Sequence, residues 1–231
     1  MTKTENEPQV RHLGIIMDGN RRWARSQGLS PSQGHRAGYG KVKEVLKWCD
    51  ENGIKIVTLY AFSTENWNRP KNEVDFLMAL FNRLLTKDIK EIHKNGVRLR
   101  IIGRKESLPK KIQEAAKKAE KLTAENTEGV LNLAINYGGR QEIVDAFNKI
   151  MKNPPEKITE ETISGNTYTA DLPDPDLIIR TSGEMRLSGF LTWQSVYSEL
   201  YFVKHHWPEF SKNDFAAILA GFSARQRRFG K

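Results

Sequence analysis

The chain has 231 residues, of which 38% are hydrophobic, and this is enough for one globular domain with a sizeable core. Lysine and arginine number 37 against 28 acidic residues, so the formal charge of +9 favours phosphates, nucleic acid or an anionic membrane surface as ligands. A single cysteine, Cys49, excludes an intrachain disulfide and a multi-cysteine metal site. No apolar stretch approaches the ~18 residues of a spanning helix. We therefore expect a cytoplasmic protein that lies at most peripherally at a membrane surface.

Six short segments rich in Val, Ile and Leu predict β-strands. They cover residues 12–17, 54–62, 97–103, 130–136, 176–180 and 199–203. Helical periodicity covers residues 72–95, 109–126, 140–152 and 212–228, and the first of these is predicted to be the longest helix. We expect residues 1–11 to form a disordered N-terminal tail and residues 12–231 to form one domain. Because strands that alternate with helices favour parallel pairing, the predicted fold is a single α/β domain with a central, mainly parallel six-stranded sheet flanked by helices.

Polar clusters follow four of these strands. The clusters are MDGNRRW at 17–23, FSTENWNRP at 62–70, NYGGR at 136–140 and RTSGEMR at 180–186. Ligands bind beyond the carboxyl ends of the strands in open parallel sheets, so the four clusters are expected to meet at one edge and form an active site.

Arginine dominates these clusters, which indicates an anionic ligand. Guanidinium groups bind phosphate bidentately, and Gly19, Gly34 and Gly183 would allow the backbone to approach a polyanion. Asp18 lies among the cations, where a divalent metal between its carboxylate and phosphate oxygens would give it a function, since Mg²⁺ typically binds through one or two carboxylates and substrate phosphates. The alternative, that Asp18 caps the helix beginning near Arg21, stays open at this point.

The glycines near residue 34 do not form a nucleotide motif. GHRAGYGK at 34–41 resembles a P-loop only superficially, because its first glycine is misplaced and Val42 stands where a Ser or Thr would hold Mg²⁺. Nucleotide hydrolysis is therefore excluded. His35 is expected in a glycine-flanked turn before a helix, from which it could donate a hydrogen bond to phosphate.

A nucleic-acid-binding function draws on the positive charge and on VRLRIIGRK at 97–105. Arg98 and Arg100 alternate there with apolar residues, which is typical of an ordinary strand with one solvated face. We expect no nucleic-acid partner.

Taken in order, the motifs resemble those of the cis-prenyltransferases, the family of undecaprenyl diphosphate synthase. The matching blocks are HLGIIMDGNRRWA (12–24), GH (34–35), TLYAFSTENWNRP (58–70), VRLRIIG (97–103), NYGGR (136–140), DLIIRTSGEMRLS (176–188), ELYF (199–202) and WPEF (207–210). The resemblance runs from about residue 12 to the C-terminus.

The resemblance implies a Mg²⁺-dependent condensation. An allylic diphosphate such as farnesyl diphosphate would lose diphosphate while the double bond of isopentenyl diphosphate attacks its first carbon, and proton loss would leave a Z double bond. The product would be a Z-polyprenyl diphosphate of medium to long chain.

The resemblance also implies a set of site residues. Asp18 and Asn66 would be catalytic, and Asp18 and Glu199 would bind the metal. The implied substrate-binding residues are Gly19, Asn20, Arg21, Arg22, Trp23, His35, Ser63, Thr64, Glu65, Trp67, Arg69, Arg180, Arg186, Leu187, Ser188, Arg228 and Gly230.

These residues are expected to form two subsites. Arg180, Arg186 and Ser188 are assigned to isopentenyl diphosphate, and the residues around Arg22 to the allylic diphosphate. The pattern Arg228-Phe229-Gly230 implies a tail that reaches the isopentenyl diphosphate site of the neighbouring subunit in a homodimer, whose interface is expected within residues 190–207.

Two positions depart from the family pattern. Pro31 stands where many members have a diphosphate-binding arginine, so that contact would be missing or supplied by Arg25 or Arg36. Gly189 stands where asparagine is usual.

An apolar stripe along residues 72–95 is wide enough to line a hydrophobic tunnel for the growing product, and the small Ala61 would leave the upper part of the tunnel open. The alternative is that Ala61 only packs between sheet and helix. Two further alternatives are a short-chain member and a non-catalytic partner subunit, although the presence of Asp18, Arg22 and Asn66 argues against the latter.

Overall fold

All six predicted strands form in the computed structural model, which describes residues 10–225. The strands are β1 (His12–Ile16), β2 (Ile56–Ser63), β3 (Val97–Ile102), β4 (Gly129–Tyr137), β5 (Leu177–Arg180) and β6 (Glu199–Phe202). They form one sheet in the order β3-β4-β2-β1-β5-β6, and each neighbouring pair is parallel. The predicted α/β architecture is confirmed.

Helices alternate with these strands. They are α1 (Asn20–Ser26), α2 (Pro31–Glu51), α3 (Lys71–Arg83), α4 (Ile89–Lys94), α5 (Lys110–Thr123), α6 (Gly139–Ile150), α7 (Glu160–Ser164) and α8 (Lys212–Ala224). The predictions at 109–126, 140–152 and 212–228 correspond to α5, α6 and α8, the last as far as the structure describes it.

Helix α2 begins earlier than predicted, since His35 was expected in a turn before it; Gly34, Gly38 and Gly40 lower the intrinsic helix propensity there. Its start is nevertheless strongly specified. The Ser30 side chain accepts from the backbone N–H of Gln33, and the Gln33 side chain accepts in return from the backbone of Ser30. At 21 residues α2 is the longest uninterrupted α-helix in the described chain. The prediction that residues 72–95 would form the longest helix was therefore wrong.

Residues 71–94 follow one helical path, but a π-helical segment, Leu84–Asp88, separates α3 from α4. Within it, the Thr86 hydroxyl donates to the carbonyl oxygen of Asn82 at 2.6 Å and so competes with the regular backbone ladder. The wider turn keeps Leu84, Leu85 and Ile89 all buried.

The sheet is covered on both faces, as expected for parallel strands. All five residues of β1 are buried. The main core cluster fills one side, and a smaller cluster around Tyr137 and Phe190 fills the other. Among residues 10–225, no helix combines the length and apolar character needed to cross a membrane.

The packed part of the chain begins slightly before the predicted boundary at residue 12. Val10 is buried in the main core, and the backbone N–H of Arg11 donates to the Asp176 carboxylate at 2.8 Å. Residues 1–9 lie outside the described residues, so the predicted tail remains a prediction there.

A buried polar chain links the central strands. The His12 ring hydrogen-bonds the Pro173 carbonyl oxygen at 2.7 Å through Nδ1 and the Thr58 hydroxyl at 2.8 Å through Nε2. Asn132 donates to the same hydroxyl at 2.9 Å. Burial lowers the pKa of His12 and outweighs the opposing effects of the Pro173 carbonyl and the Asp176 carboxylate. The neutral ring is therefore the form that fits the fold.

This arrangement predicts a pH-dependent stability. Because the pKa of His12 is lower in the folded chain than its ordinary value of 6.5, the stabilisation is fully present above that value and is lost as the pH falls below it. We expect His12→Gln to lower the free energy of unfolding at pH 7.5 and to flatten its decline between pH 7 and 5, measured by urea denaturation. His93→Gln, at an exposed position, is the control and should retain the slope of the unmodified protein. An unchanged slope in His12→Gln would contradict the assignment.

Candidate active site

The carboxyl ends of the four adjacent strands β4, β2, β1 and β5 open onto one cavity of about 1150 Å³. The four polar clusters therefore meet at one edge, as predicted. Predicted site residues that line the cavity are Asp18, Gly19, Asn20, Arg21, Arg22, His35, Ser63, Thr64, Glu65, Asn66, Arg69, Arg180 and Ser188.

Asp18 is held between two arginines at the mouth of this cavity. Its Oδ2 atom lies 2.8 Å from Arg180 and 3.1 Å from Arg22. Burial raises the pKa of the Asp18 carboxyl, but the hydrogen bonds and charges of Arg180 and Arg22 outweigh it and hold the pKa below its usual value. Asp18 is therefore ionised at neutral pH.

Arg180 also organises the loop that follows β5. Its guanidinium is nearly inaccessible to solvent and donates to the Ser188 hydroxyl at 2.8 Å and to the Arg186 carbonyl oxygen. Gly189 then adopts a positive φ of 76°, a conformation open to glycine and tolerated by asparagine, so this departure from the family pattern suits the local backbone.

Glu184 links two of the predicted diphosphate-binding arginines. Its Oε1 atom accepts from Arg22 at 2.8 Å, and its carboxylate also pairs with Arg186. Arg186 does not line the cavity and is largely exposed. In this conformation a single carboxylate of the chain pairs with both arginines.

The turn from β1 into α1 is fixed by main-chain contacts. The Asp18 carbonyl oxygen accepts from the Thr181 hydroxyl at 2.7 Å and from the Trp207 N–H at 2.9 Å. Gly19 caps α1 with φ 103°, and a Cβ atom there would lie 2.6 Å from the Ser182 hydroxyl oxygen. No side chain caps α1, so the alternative function of Asp18 as a helix cap is not observed.

Helix α1 packs against α2 at unusually short range. A Cβ atom on Gly34 would lie 2.2 Å from the Asn20 carbonyl oxygen, and one on Gly38 would lie 2.2 Å from the Asn20 Oδ1 atom. Gly34, which was expected to approach a polyanion, instead lies with Gly38 against Asn20 and so brings the N-terminus of α1 to the cavity.

His35 lies inside α2 and not in a turn before a helix, because the Ser30 cap starts the helix five residues earlier. Its ring is buried, and Nε2 lies 3.0 Å from Oε1 of Glu73. Burial lowers the pKa of His35 more than Glu73 raises it. His35 lines the cavity wall, but its Nε2 atom is already hydrogen-bonded to the Glu73 carboxylate.

The segment after β2 forms a 3-10 helix, Thr64–Asn68. The Asn66 Oδ1 atom accepts from the Ser63 N–H at 3.2 Å. Trp67 does not line the cavity; its indole donates to Asn136 at 2.7 Å and its ring packs edge-on against Phe62. Trp67 therefore ties this segment to β4.

The deeper part of the cavity is apolar. Its lining includes Leu59, Ala61, Leu77, Leu80, Phe81, Leu84 and Leu133, which come from β2, β4, α3 and the π segment. The prediction that residues 72–95 and Ala61 border a hydrophobic space is confirmed in geometry.

Three further predicted residues lie outside the cavity lining. Trp23 is on α1, and Leu187 packs against the smaller core cluster. Glu199 is the first residue of β6 and pairs with Leu177 of β5, three residues before Arg180. It therefore lies about 10 Å from the Arg180 end of the sheet, measured along the strands. It pairs with Arg225. Asp18 and Glu199 of one chain are thus placed too far apart to share an ion, and the metal assignment of Glu199 remains a prediction that would need a second chain.

Arg228 and Gly230 lie outside the described residues, so the predicted tail contact remains a prediction.

Several functional candidates escaped the sequence reasoning. Arg140 and Gln141 at the start of α6 line the cavity; Arg140 closes the NYGGR cluster that was expected at this edge but was assigned no function, and Gln141 follows directly after it. Arg25 also lines it, whereas Arg36 lies over the ring of Phe76. Of the two substitutes considered for the arginine missing at Pro31, Arg25 is therefore the one placed at the cavity.

A metal would need substrate oxygens to complete its coordination here. The described residues contain no group of three acidic, histidine or cysteine side chains arranged to hold an ion. Asp18 and Glu65 are the two carboxylates among the described cavity-lining residues. A single ionised carboxylate beside a diphosphate fits the usual Mg²⁺ donor set of one or two carboxylates plus phosphate oxygens.

Together, a parallel sheet with arginines at one end of a cavity and leucines deeper in it defines an enzyme-type site for a ligand with an anionic head and an apolar body. The chain belongs to the undecaprenyl diphosphate synthase family of prenyltransferases, since the family described as putative undecaprenyl diphosphate synthase matches residues 16–230. It is therefore a prenyl-transferring enzyme.

Individual relatives agree with this family. The chain is 50% identical over 223 residues to an isoprenyl transferase of Thermotoga maritima, with 95% of this chain and 96% of the relative covered. It is also 50% identical to a tritrans,polycis-undecaprenyl-diphosphate synthase (geranylgeranyl-diphosphate specific) of Pyrococcus abyssi, covering 96% and 87%.

Two solved structures share the fold. A lavandulyl diphosphate synthase from Lavandula x intermedia, in complex with dimethylallyl diphosphate, has a TM-score of 0.92 at 37% identity, covering 96% of this chain and 99% of the other. A probable undecaprenyl diphosphate synthase from Campylobacter jejuni has a TM-score of 0.83 at 36% identity, covering 97% and 100%.

The contact between α1 and α2 predicts opposite effects for two glycine substitutions in the same helix. Gly34→Ala would force a methyl group against the Asn20 carbonyl oxygen, and overpacking of this kind typically costs about 1–3 kcal/mol. Gly40 has open space around it, so Gly40→Ala should be neutral or stabilising by up to ~1 kcal/mol. Urea denaturation measures both, and equal effects would contradict the tight contact.

Proposed function

We propose that the enzyme condenses isopentenyl diphosphate with an allylic diphosphate, such as farnesyl diphosphate, in a Mg²⁺-dependent reaction that gives a Z-polyprenyl diphosphate of medium to long chain. The observation that carries the proposal is the continuity of one cavity from the arginines and Asp18 at its mouth to the leucines in its interior. Such a cavity can hold a diphosphate and its hydrocarbon chain together.

The mouth of the cavity is suited to stabilise a leaving diphosphate. Arg21, Arg22 and Arg69 line it, and the Gly19-capped N-terminus of α1 faces it. Negative charge grows on the diphosphate as the allylic bond breaks, so these cations bind the transition state more tightly than the ground state. They need no reorganisation of solvent when the charge develops.

Asp18 is the residue that would hold Mg²⁺, together with diphosphate oxygens. When bound, the ion would supply Lewis-acid stabilisation of the leaving group. Asp18 would exchange part of its pairing with Arg180 and Arg22 for this contact, and its lowered pKa keeps it ionised for that purpose.

The second diphosphate belongs on the opposite side of Asp18. Arg180 and Ser188 are joined there by a hydrogen bond, and Arg186 can turn inward once it releases Glu184. The double bond of isopentenyl diphosphate would then face the allylic carbon, and Asp18 or Asn66 would accept the departing proton. Of these two, Asp18 is the stronger base.

We also propose a homodimer, with the exposed apolar residues Val196, Tyr197 and Leu200 at its interface. They lie within the predicted interface segment, with Val196 and Tyr197 just before the outer strand β6 and Leu200 within it. Peripheral contact with a membrane would follow from release of an apolar product. A short-chain product remains the alternative.

The first functional prediction concerns Asp18. Asp18→Asn keeps the side-chain shape but removes the negative charge, so turnover of radiolabelled isopentenyl diphosphate should fall about 10²-fold or more, as for other electrostatic stabilisers. Glu44→Gln, an exposed position on α2, is the control and should retain activity. Near-normal turnover in Asp18→Asn, at an unchanged melting temperature, would refute the proposed catalytic role of the Asp18 carboxylate.

The second prediction separates the two diphosphate sites. Arg186→Ala should raise the KM for isopentenyl diphosphate far more than that for the allylic substrate, and Arg22→Ala should do the reverse. Each lost charge-assisted hydrogen bond corresponds to about 1.5–3 kcal/mol. Steady-state kinetics with one substrate varied at a time tests this, and parallel effects on both KM values would disprove the two-site assignment.

The third prediction concerns product length. Ala61 lines the upper cavity, so Ala61→Leu should shorten the product by blocking passage of the chain. Thin-layer chromatography of the dephosphorylated products gives the length distribution. The exposed Val144→Leu on α6 is a control for added bulk and should leave the distribution unchanged. An unaltered distribution in Ala61→Leu would mean that the product takes another path.

A further inference from the structure

A buried carboxylate, Glu73, lies directly behind the cationic wall of the cavity. Its residue is 5% exposed and it does not line the cavity itself. A buried acid is costly unless it is paired and hydrogen-bonded, so its partners indicate why it is there.

All three partners of Glu73 are groups that do line the cavity. Oε1 accepts from His35 Nε2 at 3.0 Å and from Arg69 at 3.2 Å, and Oε2 lies 3.7 Å from the Arg21 Nε atom. These partners come from three elements: α2, the segment before α3, and α1. One carboxylate in the first turn of α3 thus connects three separate parts of the wall.

The hydrogen bond to His35 also fixes the ring. An ionised carboxylate can only accept, so Nε2 must carry the hydrogen, and the neutral ring then has its lone pair on Nδ1. In this tautomer Nδ1 cannot donate to a phosphate oxygen. The ring can donate on that side only after it takes up a second proton.

We propose that Glu73 is a positioning residue of the prenyl transfer reaction, which sets the tautomer of His35 and holds Arg69 and Arg21 in place for the allylic diphosphate. The role assigned to the arginines rests on the proposed function, whereas the tautomer of His35 does not.

The charged groups around His35 give the direction of its response. Glu73 on α3 favours the protonated ring, whereas Arg69 and Arg21 oppose it, and Tyr39 and the exposed Arg36 are the titratable neighbours on α2 itself. Removal of the Glu73 charge should therefore lower the pH at which His35 titrates. This shift tests the pairing of Glu73 with His35, whereas the kinetics below test its positioning role.

Two variants and one control test the proposal. Glu73→Gln retains shape but loses the charge, whereas Glu73→Asp retains the charge on a shorter stem. Asp75→Asn is the control, because Asp75 lies on the same helix but is exposed and pairs only with Lys71 among the contacts described. Melting temperatures identify any variant that is simply unfolded.

The direct measurement is NMR of ¹⁵N-histidine-labelled protein, with the His35 signal assigned through His35→Gln. In the unmodified protein we expect the tautomer with hydrogen on Nε2, and in Glu73→Gln a titration midpoint at lower pH. A hydrogen on Nδ1 in the unmodified protein would overturn the proposal without the need for any variant. An unshifted midpoint in a folded Glu73→Gln would overturn it as well.

Kinetics give the second measurement. Because small misplacements of positioning groups can cost up to 10²-fold, kcat in Glu73→Gln should fall about 10- to 100-fold. Removal of the negative charge makes Arg69 and Arg21 more attractive to an anion and so offsets their looser placement, and the KM for the allylic substrate should therefore rise less than kcat falls. Glu73→Asp should recover part of the loss, and Asp75→Asn should match the unmodified enzyme.

The outcomes separate two failures. If the unmodified enzyme does not condense the two proposed substrates, the proposed function fails while the NMR titration still decides on Glu73. If condensation occurs and a folded Glu73→Gln retains full kcat, the positioning role is wrong and the proposed function stands.

Discussion

The ion pair between Asp18 and Arg180 is the contact on which the rest of the site depends. It joins the ends of β1 and β5, two strands that are neighbours only because the chain returns to the sheet after more than a hundred residues. Arg180 is almost fully buried, so its charge requires compensation, and Asp18 supplies it. The Nη1 atom of Arg180 donates to the Ser188 hydroxyl and to the Arg186 carbonyl oxygen, and these contacts shape the loop after β5.

The same principle of internal compensation extends across the mouth of the cavity. Glu184 pairs with Arg22 and Arg186, and Glu73 pairs with His35 and Arg69. These carboxylates differ in position, since Glu184 is at the surface and can be displaced by a stronger anion, whereas Glu73 is enclosed. These carboxylates hold the cationic side chains in place, and an anionic ligand would have to compete with Glu184 for Arg22 and Arg186.

The sequence predicted the sheet well because parallel strands buried on both faces are continuous apolar runs, and all six such runs became strands. It also predicted that Asp18, Ser63 and Arg180 would meet, since topology alone brings the carboxyl ends of adjacent parallel strands together.

What the sequence could not show depends on packing between distant segments. The start of helix α2 was obscured by glycines whose role, the close approach of α1, exists only in three dimensions. Glu73 could not be singled out from the sequence, because nothing local reveals that His35 and Arg69 surround it. The π segment likewise cannot be inferred from apolar spacing alone.

That π segment, Leu84–Asp88, borders the inner part of the cavity through Leu84. A π turn accommodates one more residue than the α turn it replaces. It is therefore the natural place for the chain to gain or lose a single residue without disturbing the strands or the arginines at the mouth. Loss of one residue there would convert the π segment into a regular α-helical turn and alter the cavity lining at Leu84, while α3 and α4 keep their apolar faces toward the core. Evolution can in this way reshape the floor of the cavity while the chemistry at its entrance is conserved.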